Sequence, residues 1–190
     1  LNPLQEVIQP EGDTNFKDLI PKIRHVAREL GVPVLLKEVG SGISGALAKK
    51  LADAGIAAID VSGGGGTSWA IIEAKRAQTP MQQSLGERFR DWGIPTTVSL
   101  IQCRNALPEM PLIASGGIRS GIDIAKAIAL GADAAALAHP FLEAATRSPE
   151  AVEEVLQRLI QELKVAMFLV GARTVADLKG RRDLLVGVGR

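Results

Sequence analysis

The chain has 190 residues, enough for one domain with a substantial core, and its 22 basic and 21 acidic residues leave a net charge of +1 that points to neither nucleic acid nor an anionic membrane surface. A single cysteine, Cys103, excludes an intrachain disulfide, and no apolar run reaches the roughly 20 residues that a bilayer-spanning helix needs, so a soluble, cytoplasmic protein is expected. Twenty glycines with only 3% aromatic residues favour the tight turns and close helix–strand contacts of a parallel α/β protein over a sandwich.

Apolar runs of strand type alternate with runs of helical period along the whole chain. Leu1 to Glu6 reads as the end of a strand followed by polar groups. The spacing of Leu19, Ile23, Val26, Ala27 and Leu30 predicts a helix from about Asn15 to Leu30, with Gly31 as its stop. Pro33 to Val39 is the next strand, Ser44 to Ala54 a helix closed by Gly55, and Ile56 to Val61 a further strand. After the glycines at 63–66 the pattern loosens into a helical turn over Ser68 to Lys75 and a polar helix over Met81 to Trp92. Thr96 to Leu100 reads as a strand, and Ile101 to Leu107 as a short helix. Pro111 to Ser115 and Ala134 to Ala138 are the last strands, joined by a helix that Ser120 or the next glycine opens and Gly131 stops. Ile122, Ala125, Ile128 and Ala129 would face inward from it. Pro149 to Val170 closes the pattern as a long amphipathic helix, with Val152, Val155, Leu156, Leu159, Leu163, Ala166 and Met167 on one face.

These elements amount to about five parallel strands whose C-terminal ends carry Lys37-Glu38, Ser62-Gly63, Ser99, Ser115-Gly116 and Ala138-His139. Functional groups gathered there mark the catalytic face of a (β/α)8 barrel or of an open doubly wound sheet. A closed barrel usually takes about 250 residues, so this chain falls short of one. The first residue is Leu rather than Met, and the expectation is a single domain over 1–190 that forms the C-terminal portion of a TIM barrel. Such a half would need its missing N-terminal partner to cover the exposed strand edges.

Four clusters would converge on that face. Gln5-Glu6 sets an amide beside a carboxylate that can ligate a hard cation such as Mg2+, although taken alone the pair reads more readily as a solvated carboxylate. Lys37 and Glu38 interrupt an otherwise apolar strand, so either Glu38 neutralises Lys37 or the lysine meets an anionic ligand. The run Ser62 to Thr67 carries glycines that let the backbone approach a flat ligand and a hydroxyl that can donate to it; the alternative is a flexible linker. Gly116-Gly117 ahead of a helix start is a phosphate seat, or else an ordinary βα turn. A lysine, hydroxyls and a phosphate-binding turn on late strands together outline a site for a phosphorylated planar cofactor, with FMN the simplest candidate. Cys103 reads as a small packed hydrophobe rather than a nucleophile.

The stretches LNPLQE (1–6), QPEGD (9–13), KEVG (37–40), GGGGTSWA (63–70), WGIPT (92–96), ASGGIRSG (114–121) and AKAIALGADA (125–134) resemble the type 2 isopentenyl diphosphate isomerases, FMN-dependent TIM-barrel enzymes. The resemblance covers nearly the whole chain, although SGGIRSG by itself is shared with other FMN barrels. It implies interconversion of isopentenyl and dimethylallyl diphosphate with reduced FMN, Mg2+ and NADPH as reductant, in a homo-oligomer, tetramer or octamer. By the same resemblance Gln5 lies beside the substrate alkene and Glu6 holds Mg2+ against the diphosphate. Lys37, Ser62 and Thr67 contact the flavin, while Gly116, Gly117, Ile118, Arg119, Leu137 and Ala138 bind its phosphate. The family's diphosphate-binding basic residues and a histidine just ahead of LNPLQE have no counterpart in this chain. Two other readings stand beside it: an FMN-dependent oxidase of 2-hydroxy acids, for which His139 lacks a companion histidine–arginine motif, and a non-catalytic partial-barrel module.

Overall fold

Short apolar runs form four strands, the inner two largely buried and the outer two partly exposed, in a computed structural model that describes residues 1–187. They are β1 (Leu35–Lys37), β2 (Ala58–Asp60), β3 (Leu112–Ala114) and β4 (Ala134–Ala135), all parallel and paired in chain order. The register sets Lys37 beside Asp60, Asp60 beside Ile113, and Ala114 beside Ala135. Ile59, Val61, Leu112 and Ala114 are fully buried and meet Leu51 and Leu100 from the covering helices and Ile43 from the loop ahead of them.

The first residues depart from expectation. They form helix α1 (Pro3–Ile8) rather than the end of a strand, because Pro3 presets the helical φ at the first turn and Asn2 reaches Glu6 one turn on. Helix α2 (Leu19–Glu29) starts later than its apolar spacing suggests, since Asp18 adopts a left-handed conformation with φ 55°. No α2 residue is fully buried; Ile20 and Ile23 pack partly against the core, while Val26 and Leu30 remain exposed. Helix α3 (Gly45–Asp53) is opened by the Ser44 hydroxyl, which accepts from the Leu47 N–H at 3.2 Å. Helices α4 (Trp69–Arg76) and α5 (Pro80–Arg88) pack on each other as a hairpin, with Gly86 tight against Ala70 and Ala74.

The expected strand over Thr96 to Leu100 does not form. Thr96–Ala106 is one continuous helix, α6, so the sheet holds four strands among the described residues. Tertiary bonds override β propensity here. The Ser99 hydroxyl accepts from the Ile43 N–H at 2.8 Å and donates to the Ile43 carbonyl at 2.7 Å, and Ser99, Leu100 and Cys103 fall on one buried face. A single parallel bridge between Gly64 and Pro95 stands where the extra strand was expected.

Helix α7 (Gly121–Ala129) buries Ala125, Ile128 and Ala129 as its period predicts, whereas Ile122 faces out at 53% exposure. The chain leaves the sheet after Ala135, and Ala138 becomes the N-cap of an unforeseen helix, α8 (His139–Ala145). Helix α9 (Pro149–Leu169) buries Ala151 and Leu159 and crosses α7 at Gly121, where a Cβ would lie 2.4 Å from the Leu159 carbonyl oxygen. Leu156, expected on the inner face of α9, is 46% exposed. A short helix α10 (Val175–Leu178), opened by a Thr174–Asp177 capping box, returns Leu178 to the core. No helix among the described residues is long and apolar enough to cross a membrane.

The N-terminal ends of the strands are tied by Arg104. Its guanidinium donates to the carbonyls of Gly131 (2.8 Å), Leu107 (3.2 Å), Pro108 (2.5 Å) and Met110 (3.0 Å) and pairs with Asp133 at 2.7 Å. Asp133 also accepts the Leu112 N–H at 2.8 Å and the Lys179 ammonium. Burial pushes the Asp133 carboxyl up, but the Lys179 hydrogen bond, the Leu112 N–H and the Arg104 charge together outweigh it and hold the pKa below the ordinary 3.8. A carboxylate depressed in the folded state adds stability above its ordinary pKa and loses it as pH falls through the folded value. Asp133→Ala is therefore expected to cost about 1–2 kcal/mol in urea unfolding at pH 7, and the gap to the parent should narrow below pH 3.8. An equal gap at pH 3 and pH 7, order-of-magnitude conditions either side of that value, would rule this account out.

Candidate active site

The C-terminal ends of β1, β2 and β3 meet in a hydrogen-bonded knot around Asp60. Its carboxylate is 4% exposed, lies 3.3 Å from the Lys37 ammonium, and accepts from the Ser115 hydroxyl at 2.6 Å and the Ser62 N–H at 3.2 Å. Lys37 donates in addition to the Ser62 hydroxyl at 2.9 Å and the Ser115 hydroxyl at 3.3 Å. Glu38 is not its partner: that carboxylate turns into the following loop and accepts the N–H groups of Val39, Gly40 and Ser41 at 2.6, 2.7 and 2.5 Å. The Lys37 side chain stays half exposed, so its outer side is open to a ligand. Ser62 holds an unusual φ of 35°, a strained conformation fixed by its bonds to Lys37 and Asp60.

Two glycine loops lie directly on one another beyond this knot. Gly116 (φ 96°) and Gly117 (φ 81°) need left-handed backbone, and Cβ atoms on them would stand 2.2 Å from the Gly63 carbonyl oxygen and 2.4 Å from that of Gly65. The Thr96 hydroxyl donates to the Gly116 carbonyl at 2.7 Å, and Ser115 O accepts the Gly63 N–H at 3.1 Å. No hydrogen bond among the described residues uses the N–H groups of Gly116, Gly117 or Ile118. Those open amides fit an oxyanion.

The start of α7 does not add to that seat as its sequence suggests. Asp123 accepts the Arg119 and Ser120 N–H groups at 3.2 and 3.1 Å, completing a capping box, and Glu162 accepts the Gly121 N–H at 2.6 Å. The helix terminus is thus already occupied by two carboxylates. Arg119 supplies positive charge instead: its guanidinium touches the carbonyls of Gly65 (3.3 Å) and Gly117 (3.0 Å) and makes no ion pair among the described residues.

Lys37, Ser62, Thr67, the turn Gly116–Arg119 and Leu137–Ala138 all line one cavity of about 430 Å3. His139 and the knot residues Asp60 and Ser115 share it. Asp60 carries no separate signal in the sequence, where it ends an apolar run like any strand residue. Gln5 lines a neighbouring cavity of about 610 Å3 together with Asn2, Arg90 and Trp92, and Trp69 and Thr67 border both spaces. Trp69 and Arg90 were not singled out from sequence, although their position beside the glycine run and the WGIPT stretch offered a signal. Glu6 lines neither cavity; its carboxylate accepts from Asn2, Gln9 and the Asp13 N–H. No group of three His, Cys, Asp or Glu side chains among the described residues forms a metal site by itself. Burial pushes the Cys103 thiol up to about 11, and Cys103 sits in the core under Ile43, which suits a packed hydrophobe.

The sequence pattern of the FMN-dependent dehydrogenases matches residues 5–185. The isopentenyl-diphosphate delta-isomerase of Nostoc sp. is 52% identical over 179 residues, which is 94% of this chain and 51% of that protein. Its counterpart in Stutzerimonas stutzeri is 51% identical, over 97% of this chain and 53% of its own length. The chain spans about half the length of the curated relatives it matches. Among solved structures, a lactate oxidase of Pediococcus acidilactici superposes with a TM-score of 0.67 at 28% identity, covering 90% of this chain and 41% of that one. A mandelate oxidase gives 0.64 at 27% identity, over 86% and 42%.

The stacked glycine loops make a steric prediction. Gly117→Ala combines left-handed backbone with a clash and is expected to destabilise the chain by about 2–4 kcal/mol. Gly31→Ala, at φ 63° with nothing within 4 Å, is expected to cost only about 1–2 kcal/mol. Equal losses for the two variants in chemical denaturation would mean that the loops do not depend on close approach.

Proposed function

The chain belongs to the FMN-dependent dehydrogenase family, and from that premise we propose that it is the flavin-binding portion of an isopentenyl-diphosphate delta-isomerase that interconverts isopentenyl and dimethylallyl diphosphate. The observation that carries this reading is the single cavity in which a half-exposed lysine, two hydroxyls and a run of open backbone amides face one another. That set fits a planar cofactor with a phosphate tail. Bound FMN, reduced by NADPH, supplies an electron-rich ring able to stabilise developing positive charge on an alkene.

The residues of the chain divide the remaining work. The amides of Gly116, Gly117 and Ile118, with Arg119 and the backbone at Leu137 and Ala138, receive the FMN phosphate. Lys37 meets the ring with its charge held in place by Asp60 and the two serines, and favours an anionic form of it. Ser62 and Thr67 add hydroxyl groups at the ring edge. Gln5 lines the adjoining cavity, which Thr67 and Trp69 share with the first, and the alkene would lie there. Leu4, Trp69 and Ile72 give that cavity an apolar wall, which with the rest of a barrel would exclude the water that could otherwise capture a species with cationic character.

Glu6 would hold Mg2+ against the substrate diphosphate. A lone carboxylate fits that ion, which keeps most of its waters and takes phosphate oxygens as further ligands. The rest of a barrel would supply the remaining wall and more basic residues for the diphosphate, with homo-oligomers, tetramers or octamers, as the assembled state. The oxidase reading has the family pattern and solved structures at 28% identity behind it, against 52% identity for the isomerase.

Arg119→Gln is expected to raise the dissociation constant for FMN about tenfold while leaving riboflavin, which lacks the phosphate, nearly unchanged; flavin fluorescence quenching measures both. Equal losses for the two flavins would place Arg119 away from the phosphate. For the reaction, the chain combined with the other half of a relative, FMN, Mg2+ and NADPH should exchange solvent deuterium into isopentenyl diphosphate. No exchange in a complex that binds FMN would refute the isomerase reading.

A further inference from the structure

Three donors converge on the Glu6 carboxylate. Oε2 accepts from Gln9 Nε2 at 2.8 Å and from the Asp13 N–H at 2.9 Å, and Oε1 accepts from Asn2 Nδ2 at 2.6 Å. An ionised carboxylate offers about four lone-pair sites, two on each oxygen. The donors therefore fill both sites on Oε2 and one on Oε1.

The turn that delivers two of them is shaped to do so. Helix α1 ends where the Gln9 N–H meets the Gln5 carbonyl, and the Gly12 N–H donates back to the Gln9 carbonyl at 3.2 Å. A Cβ on Gly12 would lie 1.8 Å from the Glu6 carbonyl oxygen, so the turn folds directly over the residue it holds. It is also anchored from outside. Glu11 pairs with Arg76 at 3.2 Å, and Arg76 grips the buried Glu73 carboxylate at 2.9 and 3.0 Å. Both belong to α4, the helix whose first residue, Trp69, walls the two cavities.

We infer that Gln9 and the turn through Asp13 are a positioning clamp for Glu6, which leaves one lone pair of Oε1 as the site through which this side chain ligates a divalent cation. The inference rests on the reading of Glu6 as the Mg2+ ligand. Single-oxygen ligation suits an ion that retains waters and shares its shell with phosphate oxygens, whereas a free carboxylate would also sample two-oxygen binding. Gln9 is a positioning residue here, since it touches Glu6 and not the cation.

The test uses Mn2+ with inorganic pyrophosphate as the probe on the full chain, following the free Mn2+ signal by electron paramagnetic resonance. Gln9→Met keeps side-chain bulk and removes the donor; it is expected to weaken Mn2+ binding about tenfold while leaving FMN affinity unchanged. Parental Mn2+ affinity in Gln9→Met, alongside its loss in Glu6→Gln, would overturn the clamp and leave Glu6 as ligand. Equal loss of Mn2+ and FMN binding in Gln9→Met would overturn it too, as the mark of a merely structural role. If the parent binds no Mn2+, or Glu6→Gln binds it as well as the parent, the reading of Glu6 as ligand fails and the clamp with it.

Discussion

A carboxylate buried at the end of a sheet must be answered by donors, and in this chain that requirement organises the whole open face. Asp60 is nearly inaccessible, and an unpaired charge there would be costly enough to unfold a small domain. The answer comes from both neighbouring strands: Lys37 from β1 and the Ser115 hydroxyl just beyond β3. Because each partner is fixed by Asp60, the lysine is held upright at the cavity floor instead of wandering as a surface lysine would. The strained Ser62 belongs to the same arrangement, its backbone bent so that both its N–H and its hydroxyl serve the knot. The site is rigid because its floor is also a structural necessity.

Above that floor the chain relies on absence of side chains. Gly63, Gly116 and Gly117 bring backbone against backbone at distances that no Cβ could tolerate, and the carbonyls turn toward each other's loop or toward Thr96. Amides of the second loop, which lines the cavity, are left without partners among the described residues. Compaction and ligand readiness are thus the same geometric fact.

Much of this was legible in the sequence because it depended on local rules. Ser120, one of the two residues expected to open its helix, caps α7, and β1, β2 and β3 lie within the apolar runs that announce them. The residues expected to hold a flavin do line one cavity, because strand ends in a parallel sheet converge whatever the details of the loops. What was not legible depended on distant partners. Thr96 to Leu100 has β-branched residues and the look of a strand, but Ile43, more than fifty residues away, supplies the bonds that make it helical. Lys37 found Asp60 rather than the adjacent Glu38, a choice made by strand register, which no local pattern contains. Helix α1 hinged on a single proline, and α8 on the early exit of the chain from β4.

The carboxylates that meet the first turn of α7, one from that helix and one from α9, carry a consequence for recognition. Asp123 and Glu162 neutralise the positive end of the helix before any ligand arrives, so the amides of the glycine turn act without a helix field behind them. An anion seated there would be selected by the directions in which its oxygens accept hydrogen bonds, with Arg119 and Lys37 lining the same cavity. Short hydrogen bonds of that kind are little affected by salt, whereas a seat built on long-range attraction would weaken as ionic strength rises. A seat of that kind would trade reach for discrimination among anions.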